Sequence, residues 1–406
     1  MGAKKKIAVI GTVGLPAKYG GFETLAAHLV KNLDRKYKIT VYCSGKKYKK
    51  INNQRQTYYR FARLKYLPFK ANGIQSIIYD TLSIIHALFY ADVLLVLGVA
   101  GAWILPFVKT FTNKKIIISI DGIEWKRDKW NFFAKCYLFW AENLAVKYSH
   151  IDISDNESIQ DYTAIRYGSL SRIIEYGADH TMKVVPVYED RQEFPFLNKP
   201  YAFKVCRIEP ENNVHEVLKA FSQLTKYTLV MVGNWENSEY GRGLKQQYEK
   251  RASIILLDPI YEQSRLDLLR SNALVYIHGH AAGGTNPSLV EAMYLGLPVI
   301  AYGVSYNRTT TEDKALYFKN HKDLIGLIKN TTIKELKAQG SIMGEIAKRR
   351  YNWELVSDKY SQLITEALMV KDKVAVKPRL AQLGVTKLIE MNLGHLKHQH
   401  LFFEKE

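Results

Sequence analysis

Short apolar runs alternate with amphipathic stretches along most of the chain, and this alternation indicates the secondary structure. Apolar runs typical of buried strands lie at residues 6–10, 39–43, 93–97, 116–120 and 151–154. Between them, residues 21–33, 74–90, 102–111 and 132–148 have the spacing of helices. The pattern restarts with strands at 202–206, 228–232, 254–257 and 273–277, and a helix at 214–224. Strands that alternate with helices predict parallel sheets, so we expect an α/β protein with two Rossmann-like, doubly wound domains.

The predicted domains are residues 1–185 and 201–352, with 186–200 as the linker because three prolines interrupt any regular period there. Residues 353–370 are predicted to form a helix that closes the second domain. For residues 371–406 both an amphipathic membrane-surface helix and a frayed tail stay open. We expect the two domains to face each other across a cleft and to bind ligands beyond the carboxyl ends of their strands.

Charge is distributed unevenly along the 406 residues, which carry 58 Lys and Arg against 39 Asp and Glu, a net charge of +19. Residues 1–185 hold 28 basic and 14 acidic side chains, and residues 46–70 hold nine basic side chains and no acid. Such a field attracts anionic lipid, nucleic acid or phosphorylated substrates, although a solvated basic loop is the simpler explanation. The basic residues that we predict to face a membrane are Lys46, Lys47, Lys49, Lys50, Arg55, Arg60 and Arg63.

The cysteines and the apolar segments argue against a disulfide-rich protein and against a membrane-spanning one. Cys43, Cys136 and Cys206 are too far apart in sequence for a disulfide framework or a paired-cysteine metal site, which favours a reducing compartment. The longest uncharged apolar run, residues 93–108, is too short to span a bilayer. The amino terminus has no cleavage pattern of a signal peptide. We therefore expect a cytoplasmic protein.

Two loops of the first domain carry candidate chemistry. Gly14, Tyr19, Gly20 and Gly21 lie between the first strand and its helix, where glycines and free amides favour an anion, so we predict an acceptor or diphosphate loop. A merely tight turn is the alternative. The spacing is not G-x-G-x-x-G, and no acid ends the second strand, so a nicotinamide cofactor is not supported. Asp121 and Glu124 follow the strand at 116–120 and could accept a proton, position a hydroxyl group or stabilise positive charge, unless they are solvated loop charges.

The second domain carries the most informative segment, which follows the strand at 273–277. Asn286 is a natural helix cap and Pro287 a natural first helical residue, so Gly283, Gly284 and Thr285 precede a helix start that suits a diphosphate. Glu291 falls on the first turns of that helix, where it could accept hydrogen bonds from two ribose hydroxyls. A carboxylate that stabilises its own helix is the alternative. His280 and its neighbour His278 lack a third ligand at metal spacing, so no metal is predicted.

A basic loop after the strand at 202–206 completes the candidate site. Arg207 would pair with diphosphate oxygens, since a guanidinium binds phosphate through two hydrogen bonds. Together with the segment above, it defines the predicted donor-binding residues, which are Arg207, Asn212, His280, Gly283, Gly284, Thr285, Asn286 and Glu291.

These motifs resemble those of GT-B glycosyltransferases, particularly glycosyltransferase family 4. The stretch GGTNPSLVEAMYLGLPVIA resembles the family's donor-binding segment, CRIEPENN its basic diphosphate loop, and IEYGAD the segment before the linker. A rhamnosyltransferase subgroup of bacterial capsule and exopolysaccharide assembly is resembled by two further segments, IGTVGLPAKYGGFETLAAHLV and DGIEWKRDKW. The amino-terminal domain of that subgroup is of the type called domain of unknown function 1972. The chain departs from the family at three positions: Gly283 replaces a Glu, Asn212 replaces a Lys, and Asp121 replaces a first-domain His.

The resemblance implies transfer of a sugar, L-rhamnose, from a nucleoside diphosphate donor such as dTDP-L-rhamnose, with retention at the anomeric carbon. The acceptor would be a lipid-diphosphate-linked saccharide, and the protein would be peripheral at the inner face of the cell membrane. It also implies that no cofactor or metal is needed, and that Asp121, Glu124 and Arg207 carry the catalysis. The alternatives are a GT-B epimerase or hydrolase, a non-catalytic nucleotide-sugar sensor or scaffold and, last, a basic DNA-binding protein; no nucleic-acid motif is present.

Overall fold

The computed structural model describes residues 3–17, 20–48, 55–120, 122–127 and 130–373. The chain forms two compact units: the first runs through Glu175 and includes the chain from Glu354 onward, and the second is Tyr176–Trp353. Strands and helices are numbered below in chain order.

The first unit is built on an eight-stranded sheet in the order β3-β4-β2-β1-β5-β6-β7-β8. Its strands are β1 Lys6–Ile10, β2 Lys38–Ser44, β3 Tyr58–Tyr59, β4 Ala62–Leu67, β5 Val93–Leu97, β6 Lys115–Ile120, β7 Ile151–Ser154 and β8 Arg172–Ile173. All neighbours pair in parallel except β3, which pairs with β4 in antiparallel register. The basic stretch predicted as a possible solvated loop therefore contains a short hairpin at the sheet edge.

Helices cover this sheet through their apolar sides. They are α1 Gly21–Leu33, α2 Gln75–Leu88, α3 Leu105–Phe111, α4 Phe132–Tyr148, α5 Glu157–Tyr167 and α14 Trp353–Met369, with a 3₁₀ turn at Ala102–Ile104 before α3. One core joins alternate residues of the central strands, such as Ile10 and Val96, to the inner sides of α2, α3 and α4. Because every second side chain of a strand points to the same face of the sheet, these alternate residues pack against α2, α3 and α4.

The closing helix belongs to the first unit and not to the second, where the sequence placed it. Asn32 Nδ2 donates to Ser357 Oγ at 2.8 Å, and the Tyr37 hydroxyl lies 3.2 Å from Ser361 Oγ. Between these two serines, Lys359 forms an ion pair with Glu175 at 2.5 Å. Val356, Tyr360 and Ile364 of this helix are buried, and the linear pattern could not show which unit would cover them.

The second unit is built on a six-stranded, fully parallel sheet in the order β11-β10-β9-β12-β13-β14. Its strands are β9 Tyr201–Val205, β10 Thr228–Val232, β11 Ile254–Leu257, β12 Val275–His278, β13 Val299–Tyr302 and β14 Leu316–Phe318. Its helices are α6 Tyr188–Glu193, α7 Val214–Phe221, α8 Glu239–Tyr248, α9 Gln263–Ser271, α10 Pro287–Tyr294, α11 Ser305–Thr310, α12 His321–Asn330 and α13 Ile333–Arg350. Both faces of the sheet carry apolar cores.

The predicted linker is packed structure. Residues 186–200 contain α6 and a 3₁₀ turn at Pro195–Asn198, and Phe194 and Leu197 are buried in a core of the second unit. The units divide instead between Glu175 and Tyr176, ten residues before the predicted boundary at 185. Pro195 interrupts the pattern because it begins the 3₁₀ turn, a position that proline favours.

Strand order places two loops of each unit side by side. In the first unit β1 lies between β2 and β5, and in the second β9 lies between β10 and β12, so strand order reverses beside β1 and beside β9. Ligands of open α/β sheets bind beyond the carboxyl ends of the strands at such a reversal. In the second unit, the loops concerned follow β9 and β12.

Candidate functional site

The two loops at the strand reversal of the second unit are joined by one side chain. Asn212 Nδ2 donates to the carbonyl oxygen of Arg207 at 2.9 Å, and Asn212 Oδ1 lies 2.8 Å from His280 Nδ1. Asn307 Nδ2 in turn donates to the carbonyl oxygen of His280 at 2.9 Å. Asn212 and His280 are both buried, so the structure brings these predicted residues together, and Asn212 fixes the loop geometry.

Arg207 is the exposed cation of this site. Nearly half of its side chain is accessible, and among the described residues its ion pair is a long one, 3.9 Å from Nε to Glu209 Oε2. A charge pair at that distance in water contributes less than about 1 kcal/mol. The guanidinium can therefore turn toward an anion without losing a strong internal partner.

A second cation, Lys204, lies beneath these loops and was not found from the sequence. It is 1% exposed within β9, and a Cβ added to Gly279 would lie 3.0 Å from Lys204 Nζ. Burial lowers the pKa of the Lys204 ammonium, and burial, with the charges of His280 and Lys204, holds the pKa of His278 well below its usual range. The available signal was a lysine inside the apolar run YAFKV, since lysines are almost never fully buried.

The segment before α10 has the predicted geometry of a capped helix start. Asn286 Oδ1 accepts a hydrogen bond from the Ser288 amide at 3.0 Å, and Pro287 is the first helical residue. Gly283 has φ of 100°, a conformation that side chains rarely adopt, so the turn ahead of the helix requires glycine there. Gly284 and the buried Thr285 complete the segment that leads into the positive end of the helix.

Glu291 is held in place from two sides. Its Oε2 lies 2.6 Å from Arg270 Nη2, and its Oε1 lies 3.2 Å from His180 Nε2. Burial alone would raise the pKa of the Glu291 carboxyl, but the charge of Arg270 and the hydrogen bonds from His180 and Arg270 outweigh it and lower the pKa. The carboxylate is therefore ionised, oriented and able to accept further hydrogen bonds on its remaining lone pairs.

Sequence reasoning missed His180 and Arg270, the two partners of this carboxylate. Arg270 lies on α9, is 1% exposed and also contacts Asp267 Oδ1 at 3.4 Å. His180 directly follows the IEYGAD segment, and this position next to a family-like motif was the signal that could have found it. Nothing in local spacing links α9 to α10, because the contact is made only when both helices pack on the sheet.

In the first unit, Glu23 and Tyr48 brace the glycine loop after β1. Glu23 Oε1 accepts a hydrogen bond from the Val13 amide at 2.5 Å, and the Tyr48 hydroxyl donates to the carbonyl oxygen of Gly14 at 2.8 Å. Gly14 and Gly20 have φ of 134° and 128°, and a Cβ on Gly20 would lie 1.9 Å from the Glu23 carboxylate. Gly21 begins α1, whereas Tyr19 lies outside the described residues.

Asp80 is a buried acid close to the loop after β5 and was also missed. It is 3% exposed, its Oδ1 has no hydrogen-bond partner among the residues that the structure describes, and a Cβ added to Gly101 would lie 2.6 Å from the Asp80 Cβ. Burial raises the pKa of the Asp80 carboxyl well above its ordinary value. Burial thus favours the protonated carboxyl, which can donate a hydrogen bond, over the carboxylate.

Of the two carboxylates predicted to act in the first unit, the structure describes Glu124. Glu124 begins a 3₁₀ turn at Glu124–Lys126 and accepts hydrogen bonds from Arg127 Nη1 at 3.2 Å and Trp130 Nε1 at 3.0 Å. These contacts fix its orientation within the loop. Asp121 lies outside the described residues.

Some cations of the predicted membrane segment have partners in the protein. Arg55 donates to the carbonyl oxygens of Tyr48 and Gly45, each at 2.9 Å, and Arg60 pairs with Asp34 at 3.3 Å. Lys46, Lys47 and Arg63 are exposed, and Lys49 and Lys50 lie outside the described residues. The role of this segment at a membrane stays a prediction.

Two family models match the chain in succession. Residues 4–179 match a domain of unknown function, DUF1972, and residues 188–350 match Glycosyl transferases group 1. Arg207, His280 and Glu291 lie within the segment that matches Glycosyl transferases group 1, and this segment follows the one that matches DUF1972.

Solved structures with the same fold cover almost the whole chain. Sucrose-phosphate synthase from Thermosynechococcus elongatus matches with a TM-score of 0.72 and 16% identity, over 89% of this chain and 99% of that one. HepE of Anabaena in complex with UDP-glucose matches with a TM-score of 0.69 and 14% identity, over 90% and 100%. The E. coli trehalose-6-phosphate protein bound with UDP-2-fluoro glucose matches at 0.66 and 10%, over 90% and 99%. The predicted GT-B fold is confirmed.

Proposed function

We propose that this protein transfers a sugar from a nucleoside diphosphate donor to a lipid-diphosphate-linked saccharide. The observation that carries the proposal is the ionised carboxylate of Glu291, held by Arg270 and His180 on the first turns of α10. It lies within the domain that matches Glycosyl transferases group 1, and structures of the same fold have been solved with UDP and UDP-glucose.

The second unit would bind the donor through complementary charges. Glu291 would accept hydrogen bonds from two hydroxyls of the ribose, because both of its oxygens are fixed and retain acceptor capacity. Arg207 and the helix start after Gly283 and Gly284 would hold the diphosphate. Asn212, His280, Thr285 and Asn286 would maintain the shape of the loops around it.

Substitution at the anomeric carbon would then proceed while the protein stabilises the departing nucleoside diphosphate. The bond from this carbon to the diphosphate oxygen breaks, a bond to the acceptor oxygen forms, and the products are the glycosylated acceptor, the nucleoside diphosphate and a proton. Arg207 and the positive end of α10 stabilise the negative charge that grows on the departing diphosphate. We propose retention of configuration.

The first unit would present the acceptor. The braced loop around Gly14, Gly20 and Gly21 would contact the acceptor diphosphate, as would Tyr19, and Asp121 with Glu124 would orient the attacking hydroxyl. L-Rhamnose, carried as dTDP-L-rhamnose, is the proposed sugar, and the inner face of the cell membrane the proposed location. The positive charge of residues 1–185 supports an anionic lipid surface as partner.

The proposal is tested by incubating the purified protein with bacterial lipid-linked saccharides and a panel of nucleoside diphosphate sugars, and by following product mass. One donor, dTDP-L-rhamnose, is expected to increase the mass of the lipid product by one deoxyhexose. Loss of donor without a lipid product would indicate a hydrolase or epimerase. Donor binding without any turnover would indicate a sensor or scaffold.

The donor site is tested by Glu291→Gln. Hydrogen bonds to a charged group contribute about 1.5–3 kcal/mol each, so losing the charge that binds two hydroxyls is expected to lower kcat/KM about 100-fold or more. Glu216→Gln is the matched control, because Glu216 also pairs with a histidine in the second unit, His321 at 2.9 Å. Near-wild-type transfer by the folded Glu291→Gln variant would contradict the site.

A further inference from the structure

Helix α2 exposes apolar side chains to solvent and buries polar ones. Its exposed positions, with the residues that flank it, are all large and apolar: Ile74, Ile78, Leu82, Ile85 and Phe89. They recur at the spacing of one helical stripe, while the polar Asp80 and Ser83 point inward and are buried. Surface helices of water-soluble units normally expose charged side chains on this side. The outer stripe of α2 is therefore built to contact something apolar.

The same face continues over the next two helices. Exposed aromatic side chains lie on the turn before α3, on α3 and on the first half of α4: Trp103, Phe107, Phe111, Phe132, Phe133, Phe139 and Trp140. The helices adjoin one another, since Trp103 Nε1 donates to Thr81 Oγ1 of α2 at 2.8 Å and Tyr137 of α4 donates to the Ala100 carbonyl oxygen at 2.5 Å. We call the exposed apolar residues of α2, the 102–104 turn, α3 and α4 the apolar face. A continuous exposed surface of this kind marks a binding surface.

Charges on these helices have one sign wherever they reach solvent. The acids in α2, α3 and α4 are Asp80 and Glu142, which are 3% and 1% exposed. Lys109, Lys135 and Lys147 are at least partly exposed on α3 and α4. Two copies of this face would bring like charges together, whereas an anionic lipid surface would meet both the cations and the apolar side chains favourably.

A cationic cavity of about 700 Å³ adjoins the end of α2. Tyr90, which directly follows Phe89, lines it, as do Tyr37, Tyr58 and Phe61. Five cations and a single acid share the lining: Lys4, Lys6, Arg35, Lys38, Arg63 and Asp34. Asp34 is already paired with Arg60 at 3.3 Å, so the field in the cavity is positive. The cavity lies where β1 and β2 begin, at the opposite edge of the sheet from the glycine loop.

We propose that the apolar face docks onto an anionic lipid bilayer, with its apolar side chains at the acyl boundary and lipid phosphates in the cationic cavity. The proposed docking is interfacial, because the apolar side chains lie on the outer sides of helices whose inner sides pack on the sheet. Within the described part of the chain, no helix is both long and apolar enough to cross a membrane. The inference deepens the membrane location in the proposed function and rests on it for its biological role. Its test uses vesicles without donor or acceptor, so its failure is distinguishable from failure of sugar transfer.

The apolar arm of the test is the triple variant Ile78→Gln, Leu82→Gln and Ile85→Gln. Its matched control is Tyr261→Gln, Ile333→Gln and Ile342→Gln, which also replaces three exposed apolar residues, all in the second unit. Co-sedimentation with vesicles of equal phosphatidylglycerol and phosphatidylcholine should show at least a tenfold loss of affinity for the first variant and less than a twofold change for the control. All six positions are exposed, so thermal unfolding should stay close to wild type and confirm that both variants fold.

The charge arm is the variant Lys4→Gln, Lys38→Gln and Arg63→Gln in the cavity. We expect it to lose the preference for phosphatidylglycerol over pure phosphatidylcholine vesicles, and to lose most of the salt dependence of binding. A probe on Cys136, which is exposed on α4, should report a less polar environment when vesicles are added.

Unchanged vesicle affinity in the folded α2 variant would overturn the proposal. Light scattering distinguishes the competing occupant: if wild type is a dimer that the α2 variant converts to a monomer, with vesicle binding unaffected, the face is an interface between copies of the chain.

Discussion

Glu291 and Arg270 form an ion pair that is nearly removed from water, and its energetics differ from those of a surface pair. Arg270 is 1% exposed and also contacts Asp267. Breaking a buried pair leaves an uncompensated charge, whereas breaking a surface pair exchanges it for water. The same ion pair therefore orients the proposed ribose-binding carboxylate and contributes to the stability of the second unit.

Arg270→Met should lower the free energy of unfolding of the second unit by about 3–5 kcal/mol, since Glu291 and Asp267 lose their shared cation in a buried site. Arg265→Met is the control, because Arg265 pairs with Glu193 at the surface, and should cost less than about 1 kcal/mol. Urea unfolding followed by hydrogen exchange of β12 measures both. Equal costs for the two variants would contradict the coupling.

Asp80 gives a second residue-level prediction, for pH dependence. Burial raises the pKa of its carboxyl in the folded chain, so the folded form keeps a proton that the unfolded chain releases above a pKa of about 3.9. The wild type therefore loses stability as pH rises from about 4 toward the folded pKa, and Asp80→Asn should remove this loss. The free energy of unfolding of the variant relative to wild type should increase between about pH 4 and pH 7 in urea titrations.

The control for this measurement is Asp358→Asn, an exposed position on α14. Its unfolding free energy should stay parallel to wild type across the same pH range. An Asp80→Asn difference that does not vary with pH would show that the carboxyl ionises normally in the folded chain.

At the scale of elements, α14 ties the end of the described chain to the first unit. Ser357 and Ser361 contact Asn32 and Tyr37, and Val356, Tyr360 and Ile364 are buried. In proteins, most of the stability of a helix comes from burial of its apolar side chains against other elements. α1 and α14 should therefore unfold together.

Ile364→Ala should destabilise the first unit by about 2–5 kcal/mol, the range for a buried large-to-small substitution. Leu355→Ala on the same helix replaces an exposed residue and should change stability by less than about 1 kcal/mol. Hydrogen exchange of α1 amides should accelerate in the first variant, while amides of β9 stay protected. Acceleration in β9 instead would show that α14 supports the second unit.

At the scale of the whole molecule, the net charge of +19 is concentrated in the unit that carries the apolar face. Electrostatic attraction to anionic lipid extends over a Debye length, about 10 Å at 0.1 M salt, so cations near the face contribute without touching lipid. The donor site belongs to the other unit and its contacts are short-ranged. Lipid binding and donor binding should therefore respond to different substitutions.

Lys46→Gln with Lys47→Gln should weaken binding to phosphatidylglycerol vesicles by about fivefold per charge at low salt, from about 1 kcal/mol for each lysine near the surface. Donor affinity, measured by calorimetry, should stay within twofold of wild type. The effect on vesicles should vanish near 1 M salt, where charges are screened. Equal loss of lipid and donor binding would contradict a membrane role for residues 46–70.

Local structure that depends on periodicity and on capping residues could be predicted from the amino-acid sequence alone. The strand at residues 6–10, the helices at 21–33 and 132–148 and the helix start at Pro287 are as predicted, because burial period and capping residues act within a few positions of each other. Parallel pairing and the placement of Arg207 and His280 at one sheet edge also followed from the alternation of strands and helices.

Contacts between residues that are distant in sequence became visible only in the folded chain. His180 and Arg270 reach Glu291 across separate elements, α14 joins the first unit, and residues 186–200 pack instead of linking. The outward stripe of α2 is likewise visible only in three dimensions, because a helix that is apolar on two sides has the same sequence pattern whether its second side faces a core or solvent. Contacts between distant elements depend on how each helix is rotated on the sheet, and local periodicity does not encode that rotation.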